Sequence, residues 1–528
     1  MRSHADFARL GIRFARRNSS DSGLLLGAKF ESVYRNPDLI DASDVILAKD
    51  PLTQPYRQTA GKYFAYAWRR RYNGVKPDGI AVPALTSFRD LIEALERDGV
   101  LRSVSRAVDP RYELIAVMRA VQKAGNEPLL FTDVTGSPAP VATNVLGRRD
   151  VLALALGLRP ETLLASLVAQ EAAQADPVIV SDAPVHQVVR TGDLDIAREL
   201  PQVVHSERDA GAYISAGICI ARHPVTGTYN ASWNRIQLVG GDHTRVRMMP
   251  PQHLGQYQSV AEQGGDALPV AVAIGAPPAL MLSAASKIPF DADEYRTAGG
   301  WQRTPLRLAR AKTVPLDIPA DAEFIIEGHV LPHVREPEGP FGEFTDGYVE
   351  VGQNHVLKVT AITRRSDAIY HVILAGGSED TVLLGVPLMT EVLKKIAPLA
   401  KIRDLGFPGH IFGCVISLEK TDDAQPKTVL EAALAAHAWM KVVVVVDADV
   451  DPNDAQEVLW AIHTRHTPDT GILHVPEVGS FPRADVRAAH RGKVGIDATA
   501  PMAMKNTFRR RRFPGIEAID PADYFDPA

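Results

Sequence analysis

AYISAGICIARHPVTGTYNASWNRIQLV, residues 212–239, holds two runs rich in apolar and β-forming residues, separated by HPVTG. Each run has the length of a strand or two, and the segment between them carries Pro and Gly turn signals. The same texture continues downstream. RVRMMP (245–250), PVAVAIG (269–275), EFIIEGHVL (323–331), HVLKVTAITRR (355–365) and IYHVILA (369–375) are further strand-like pieces divided by Gly, Pro, Asp and Asn. Closely spaced strands of this kind predict a barrel or a sandwich over 196–370.

The texture differs on either side. Over 81–195, short strands (PLLFTDV, APVATNVLG) alternate with helical runs, which predicts an α/β layer. Its first helix is marked by Ser87 as cap, Asp90 three residues on, and Phe88, Leu91, Ile92 and Leu95 on one stripe, with Gly99 as the stop. Over 371–500 the alternation returns: LLGVPLMTEVLKKIA, HIFGCVISL, KTVLEAALAAHAWM, KVVVVVDADVD and DAQEVLWAIHTR read as helix, strand, helix, strand and helix. The unbroken Val run suits a strand buried on both faces. Residues 1–80 read as an extension ending in the linker RRRYNGVKPDG, and 501–528 as an Arg-rich tail. The expected fold class is a multidomain α/β (α+β) protein.

Bulk composition sets limits. The 528 residues suit about three to four domains. A net charge of -5 gives no electrostatic footprint for nucleic acid or for an anionic membrane surface. Two cysteines, Cys219 and Cys414, lie far apart in apolar runs and predict buried free thiols in a reducing compartment. There is no apolar run of membrane-spanning length. The Arg-rich start, MRSHADFARLGIRFARRNSS, faintly resembles a transit peptide but is read here as an arm, so the expected location is cytoplasmic.

Three segments gather chemically able side chains: 228–254, SAASKIPFDADEY (283–295) and EPEGPFGEF (336–344). Asn230 and Arg235 are five apart, so strict strand alternation would set them on opposite faces unless a turn or bulge intervenes. Glu338 and Glu343 flank Gly-Pro-Phe-Gly, which can wrap backbone closely around a ligand. Asp447, Asp449 and Asp451 follow the Val run without a GxGxxG or P-loop and read as a strand-end loop. No GxSxG elbow supports a hydrolase triad around Asp182 and His186. Trp301 and Trp439 read as packing residues, and the run Arg509–Arg512 as a solvated or subunit-contact segment.

HSERDAGAYISAGICIARHPVTGTYNASWNRIQ (205–237), PPQHL (250–254), PPALMLSAASKIP (277–289), EGPFGEF (338–344) and VVVVDADVDPNDAQEVLWAIHTR (443–465) occur together and in order. In this the chain resembles the UbiD family of prenylated-flavin decarboxylases, from about Phe88 to Gly495. The resemblance implies a split β-barrel flavin domain at 196–370, between an N-terminal α/β domain and a C-terminal α/β oligomerisation domain. It implies Mn2+ on Asn230, His253 and Glu294, and K+ near Ala231, Ser283, Ala284, Ser286 and the shared Glu294. Prenylated FMN would lie against Asn230, Ala231, Arg235, Gln252, His253, Ala284 and Ala285. The catalytic set would be Arg235 holding the substrate carboxylate, Glu338 orienting Arg235, and Glu343 as proton donor, its acidity weakened by burial beside another carboxylate. Leu384 and Phe481 would wall the substrate pocket. Arg483 stands where family members acting on aryl-acrylic acids carry an apolar residue.

The implied reaction is a reversible, non-oxidative decarboxylation of an aromatic, heteroaromatic or polycyclic acid, phenazine-type acids included. The implied partners are the small carboxylic acid, a UbiX-like flavin prenyltransferase that supplies the cofactor, and further copies of the chain. A flavin-binding partner or cofactor store without decarboxylase activity is the alternative; the Arg235–Glu338–Glu343 set argues against it, because a pure binder needs no proton donor.

Overall fold

The computed structural model describes residues 83–480, 489–511, 513–516, 519 and 524. The extension at 1–80, the pocket positions Phe481 and Arg483, and much of the tail therefore lie outside the described residues.

The first helix, Phe88–Arg97, starts where its sequence says. The Ser87 side chain accepts from the Asp90 amide while the Asp90 side chain accepts from the Ser87 amide, a reciprocal capping box. Phe88, Leu91, Ile92 and Leu95 are its buried stripe. Nearby, Arg102–Val104, Leu129–Phe131 and Val141–Thr143 form a small sheet. Its fourth strand is Tyr370–Val372, parallel to Val141–Thr143. The sequence reading put IYHVILA with the middle strands. Its local pattern fits either sheet, and only long-range pairing decides.

The middle region is one curled antiparallel sheet of nine strands. Its path runs Tyr213–Ile214, Ile236–Leu238, His243–Val246, Gly352–Arg364, Phe324–Glu338, Leu268–Ile274, Ile218–Arg222 and Tyr229–Trp233, with Val188–Thr191 added to Gly352–Arg364. Sheet ends and chain order then force closure. Tyr229–Trp233 lies at one end and Ile236–Leu238 next to the other, yet only Asn234 and Arg235 join them. Two linking residues span no more than about 11 Å, so the two ends must meet. A second link, 215–217, crosses the same seam. A Cβ at Gly217 would come 3.0 Å from Ile214 and Val272 side-chain carbons, so a larger residue there would have to displace them. Alternation does the rest: Ile218 and Ile220 enter one apolar core, Cys219 and Ala221 another. Both cysteines are free and buried, as expected.

The C-terminal sheet is ordered Lys401–Gly406, Gly413–Glu419, Val442–Asp447, Arg491–Ala498, Ile472–Gly479, with its three central strands parallel. Val443 and Val445 pack into one core, and Val444 and Val446 into another on the opposite face. Each such burial contributes about 2 kcal/mol. The acids after this strand are structural. Arg465, itself buried, donates to Asp447 (2.8 Å) and to both Asp449 oxygens (2.7 and 2.8 Å). Helix Ser378–Ile396 leads from the middle region to this sheet and packs on Leu163–Ala169, Pro278–Ser283 and Gln425–Ala436. No single helix among the described residues is long and apolar enough to cross a membrane.

Candidate active site

Arg235 sits in the seam link, just past the end of Tyr229–Trp233. Arg235 lies past the end of the strand, so strict strand alternation does not govern where it points relative to Asn230. Its guanidinium is held on three sides. Nε and Nη2 donate to the two oxygens of Glu338 at 3.0 and 2.8 Å, a bidentate clamp. Nη1 donates to Glu343. Beneath it lies the Phe341 ring, 4.9 Å from the guanidinium carbon. Tyr213 also packs on Phe341, 4.4 Å between ring centres.

Glu338 ends the long strand Phe324–Glu338, is 1% exposed, and also accepts from Asn354 on the paired strand (2.9 Å). Gly339 follows with φ 97°, a left-handed turn that a side chain would strain, and its amide donates to Gln237 (3.2 Å). Five residues after Glu338, Glu343 returns to the opposite edge of Arg235. Arg247 also reaches Glu343, at 3.3 Å. Glu343 thus lies between two cations, and the carboxyl of Asp380 is close enough to feel its charge, as the expectation of a neighbouring carboxylate requires.

Next to this cluster, His205 meets Ser215 of the seam (3.1 Å), and Ser215 accepts from the Ile373 amide (3.2 Å). Burial pushes the His205 ring down to about 4. The unfolded chain takes up this proton near 6.5, whereas the folded protein refuses it until about 4. Stability is therefore full above about pH 6.5 and falls as the pH drops through that window, by up to about 3 kcal/mol for this residue. Urea melts at pH 7.5 and pH 5 are expected to show a smaller acid loss in His205→Gln than in the wild type. Identical losses would remove His205 from the acid limb.

A second cluster forms around the start of strand Tyr229–Trp233. Glu294, 3% exposed, begins helix Glu294–Gln302. Its two oxygens accept from the Asn230 amide group and the Ala231 main-chain N–H, each at 3.0 Å. Ser283 donates to the Glu294 carbonyl (2.7 Å), and Ser286 to the Leu282 carbonyl (2.9 Å). Burial raises the Glu294 carboxyl to about 8. No Lys, Arg or His side chain pairs with it among the described residues. Asn230, Ala231, Ser283 and Glu294 are thus brought into contact, and Ala284 and Ala285 follow Ser283 directly. His253 and Gln252 stand a step apart. Gln252 is exposed and stands at the N-cap position of helix His253–Gln263 without a side-chain capping bond, while the half-buried His253 ring meets Phe290 edge-on at 5.1 Å. Among the described residues no three His, Cys, Asp or Glu side chains converge as a metal site. The expected set differs in including an amide, Asn230.

The C-terminal region closes on the Glu343 loop through aromatic side chains. The Phe344 ring stacks near His410 (5.9 Å) and Trp439 (5.8 Å) and meets Phe412 edge-on (5.8 Å). His410 also approaches the Phe344 carbonyl at 3.1 Å. Lys287 lies 5.3 Å above Trp439, tying the 283–295 loop to the same wall. Leu384 is half-buried on helix Ser378–Ile396. Sequence reading missed Arg247 and the aromatic wall. Phe344 was in plain view beside Glu343, but its partners lie 66 to 95 positions on, with no local signal to join them.

Comparison with known proteins gives the same frame. Three family models match: the 3-octaprenyl-4-hydroxybenzoate carboxy-lyase N-terminal domain at 92–170, Rift-related domain at 178–378 and C-terminal domain at 386–498. The anhydromevalonate phosphate decarboxylase of Methanothermobacter thermautotrophicus is 35% identical over 431 residues, covering 80% of this chain and 99% of that protein. The phenolic acid decarboxylase of Bacillus subtilis is 30% identical, covering 80% and 93%. Among solved structures, the UbiD-class enzyme HmfF from Pelotomaculum thermopropionicum in complex with FMN superposes with a TM-score of 0.78 at 33% identity, covering 83% of this chain and 100% of that one. The 3,4-dihydroxybenzoic acid decarboxylase AroY of Klebsiella pneumoniae gives 0.76 at 25%, covering 83% and 99%. With all three domains matched in order, the chain belongs to the UbiD family of carboxy-lyases.

Proposed function

We propose that this protein is a reversible, prenylated-FMN-dependent decarboxylase of an aromatic or heteroaromatic carboxylic acid. The observation that carries the reading is the Arg235 cluster: one guanidinium clamped by a buried carboxylate, with a second carboxylate on its remaining edge. A fixed, always-charged fork beside an acid is what carboxylate capture followed by protonation requires. The relatives named above support the class. Two are decarboxylases of a phenolic or a dihydroxybenzoic acid, and HmfF is known with prenylated FMN.

The residues fit the implied groups. Glu294 is a buried carboxylate that needs either a proton or a cation, and Mn2+ with Asn230 and His253 would supply the cation through oxygen donors and one imidazole. K+ would take main-chain and hydroxyl oxygens around Ala231, Ser283, Ala284 and Ser286. When bound, the prenylated flavin supplies the centre that takes up electrons as CO2 leaves. The chain does the rest. Arg235 binds the substrate carboxylate through the edge that Glu343 now holds. Glu338 and the Phe341 ring keep the guanidinium plane fixed during that exchange. Released from Arg235, Glu343 takes up a proton from solvent and passes it to the carbon that has lost CO2. Phe344, His410, Phe412 and Trp439 keep water from the ring and offer it a flat apolar wall. A flavin prenyltransferase supplies the cofactor, and copies of the chain associate.

The test is co-expression of the full chain with a flavin prenyltransferase. The mass and absorbance of the released cofactor, the metal content and CO2 release from a panel of aromatic acids are then measured. Prenylated FMN with about one Mn2+ per chain and acid-dependent CO2 release are expected. Loading with plain FMN only, or with neither group, moves the chain to a flavin-binding role.

A further inference from the structure

Helix Ser378–Ile396 opens with two acids that have different surroundings. Glu379 is fully buried and its contacts are structural: Oε1 accepts from the Leu146 amide (3.0 Å) and meets His371 Nε2 (3.1 Å). Asp380 is about 100° further round the helix. Its Oδ2 accepts from the Gly376 amide at 2.7 Å, and its Oδ1 takes no hydrogen bond among the described residues. The Gly376 turn is pressed against the residue after Glu343. It has φ 72°, and a Cβ there would come 2.8 Å from the Phe344 carbonyl oxygen. Asp380 is thus fixed to the Glu343–Phe344 loop, close enough for the Glu343 charge to act on it. One helical turn on, Leu384 shares its face. Asp380 and Leu384 are both half-buried, whereas Leu383 and Val386 between and beyond them are buried.

A carboxyl here is costly. Burial, with Glu343 and Glu379 nearby, raises it to about 7. Its single hydrogen bond does not need a carboxylate, and an amide or hydroxyl would serve the Gly376 turn at lower cost. An acid kept at such a cost, next to the proposed proton donor and beside an aromatic wall, is better explained by a ligand than by packing.

We propose that Asp380 is a specificity-determining residue whose free oxygen accepts a hydrogen bond from an O–H or N–H group on the substrate ring. The substrates would then be ring-hydroxylated or N–H heteroaromatic carboxylic acids. This rests on the decarboxylase reading above. Arg235 holds the carboxylate, Phe344 and its aromatic neighbours take the ring face, and Asp380 reads the polar edge. A site built to bond a substrate hydroxyl rejects the analogue that lacks it, because its own polar atom is left unpaired.

The experiment uses the full chain loaded with prenylated flavin and matched acids: 4-hydroxybenzoate against benzoate, and pyrrole-2-carboxylate against furan-2-carboxylate. The readout is the ratio of kcat/KM within each pair, with binding followed by cofactor absorbance. In the wild type, the ratio is expected to favour the donor-bearing acid by about 10²-fold. Asp380→Ala is expected to collapse it to within about threefold. Asp380→Asn keeps an acceptor oxygen and the side-chain shape, so it should load flavin and retain an intermediate ratio. A ratio unchanged in Asp380→Asn and Asp380→Ala overturns the proposal. So does an equal fall for both members of a pair, which would place Asp380 in the proton step or the fold. Preference of the wild type for anhydromevalonate phosphate, the acid named for one relative, overturns it too. Loaded wild-type protein that neither binds nor decarboxylates any acid sinks the decarboxylase reading itself. An active enzyme with an unchanged ratio sinks only the role of Asp380.

Discussion

Glu343→Gln is expected to lower decarboxylation by about 10³-fold, ~4 kcal/mol in the barrier, while flavin and metal loading stay at wild-type levels. The substitution is nearly isosteric. Gln keeps a carbonyl oxygen that can accept from Arg235 and Arg247, so the cluster is not left with an unpaired buried cation. What Gln lacks is a proton it can give away near neutral pH. The loss should therefore appear in kcat, with KM changed little, as for an interaction made only on the way through the transition state. Glu338→Gln provides the contrast. It weakens the bidentate clamp on Arg235, so it should raise KM for the acid as well as lower kcat. A Glu343→Gln enzyme with full turnover would remove the proposed proton donor, and with it the assignment of the whole Arg235 cluster.

The parts of this protein legible in its sequence are those set by local rules. The Ser87 cap, the stripe of the first helix, the two-faced Val strand and the strand-rich middle all follow from spacing and residue type within a few positions. The site was legible only as a set of separate motifs. Arg235 and Glu338 are 103 residues apart, and no local pattern joins them. They meet because Asn234 and Arg235 must cross between two sheet ends, a consequence of strand order rather than of composition. The same reason explains the misplaced IYHVILA piece, whose pairing partner lies 229 positions earlier. Asp380 escaped notice for another reason. An acid in the first turn of a helix is ordinary, favoured by the helix dipole, and becomes unusual only once its burial and its closeness to Glu343 are known.

Glu294→Gln is expected to weaken Mn2+ binding by at least about 10²-fold, measured as metal content after dialysis and by the electron paramagnetic resonance signal of bound Mn2+. The reasoning begins with the cost of the native residue. Glu294 is almost wholly buried, and its contacts are two neutral donors, from Asn230 and Ala231. Neutral donors offset only part of the desolvation of a full charge. That imbalance is what holds the carboxyl near 8, and a divalent cation is the partner that would reverse it. Gln cancels the charge and turns an amide N–H toward groups that are themselves donors. The variant should therefore lose the metal even though the helix starting at residue 294 keeps its Asp293 cap. His253→Ala should lose the metal in the same assay, because it removes the one imidazole of the proposed set. Wild-type Mn2+ content in Glu294→Gln would mean that the metal sits elsewhere, and that the buried carboxylate is kept neutral by a proton alone.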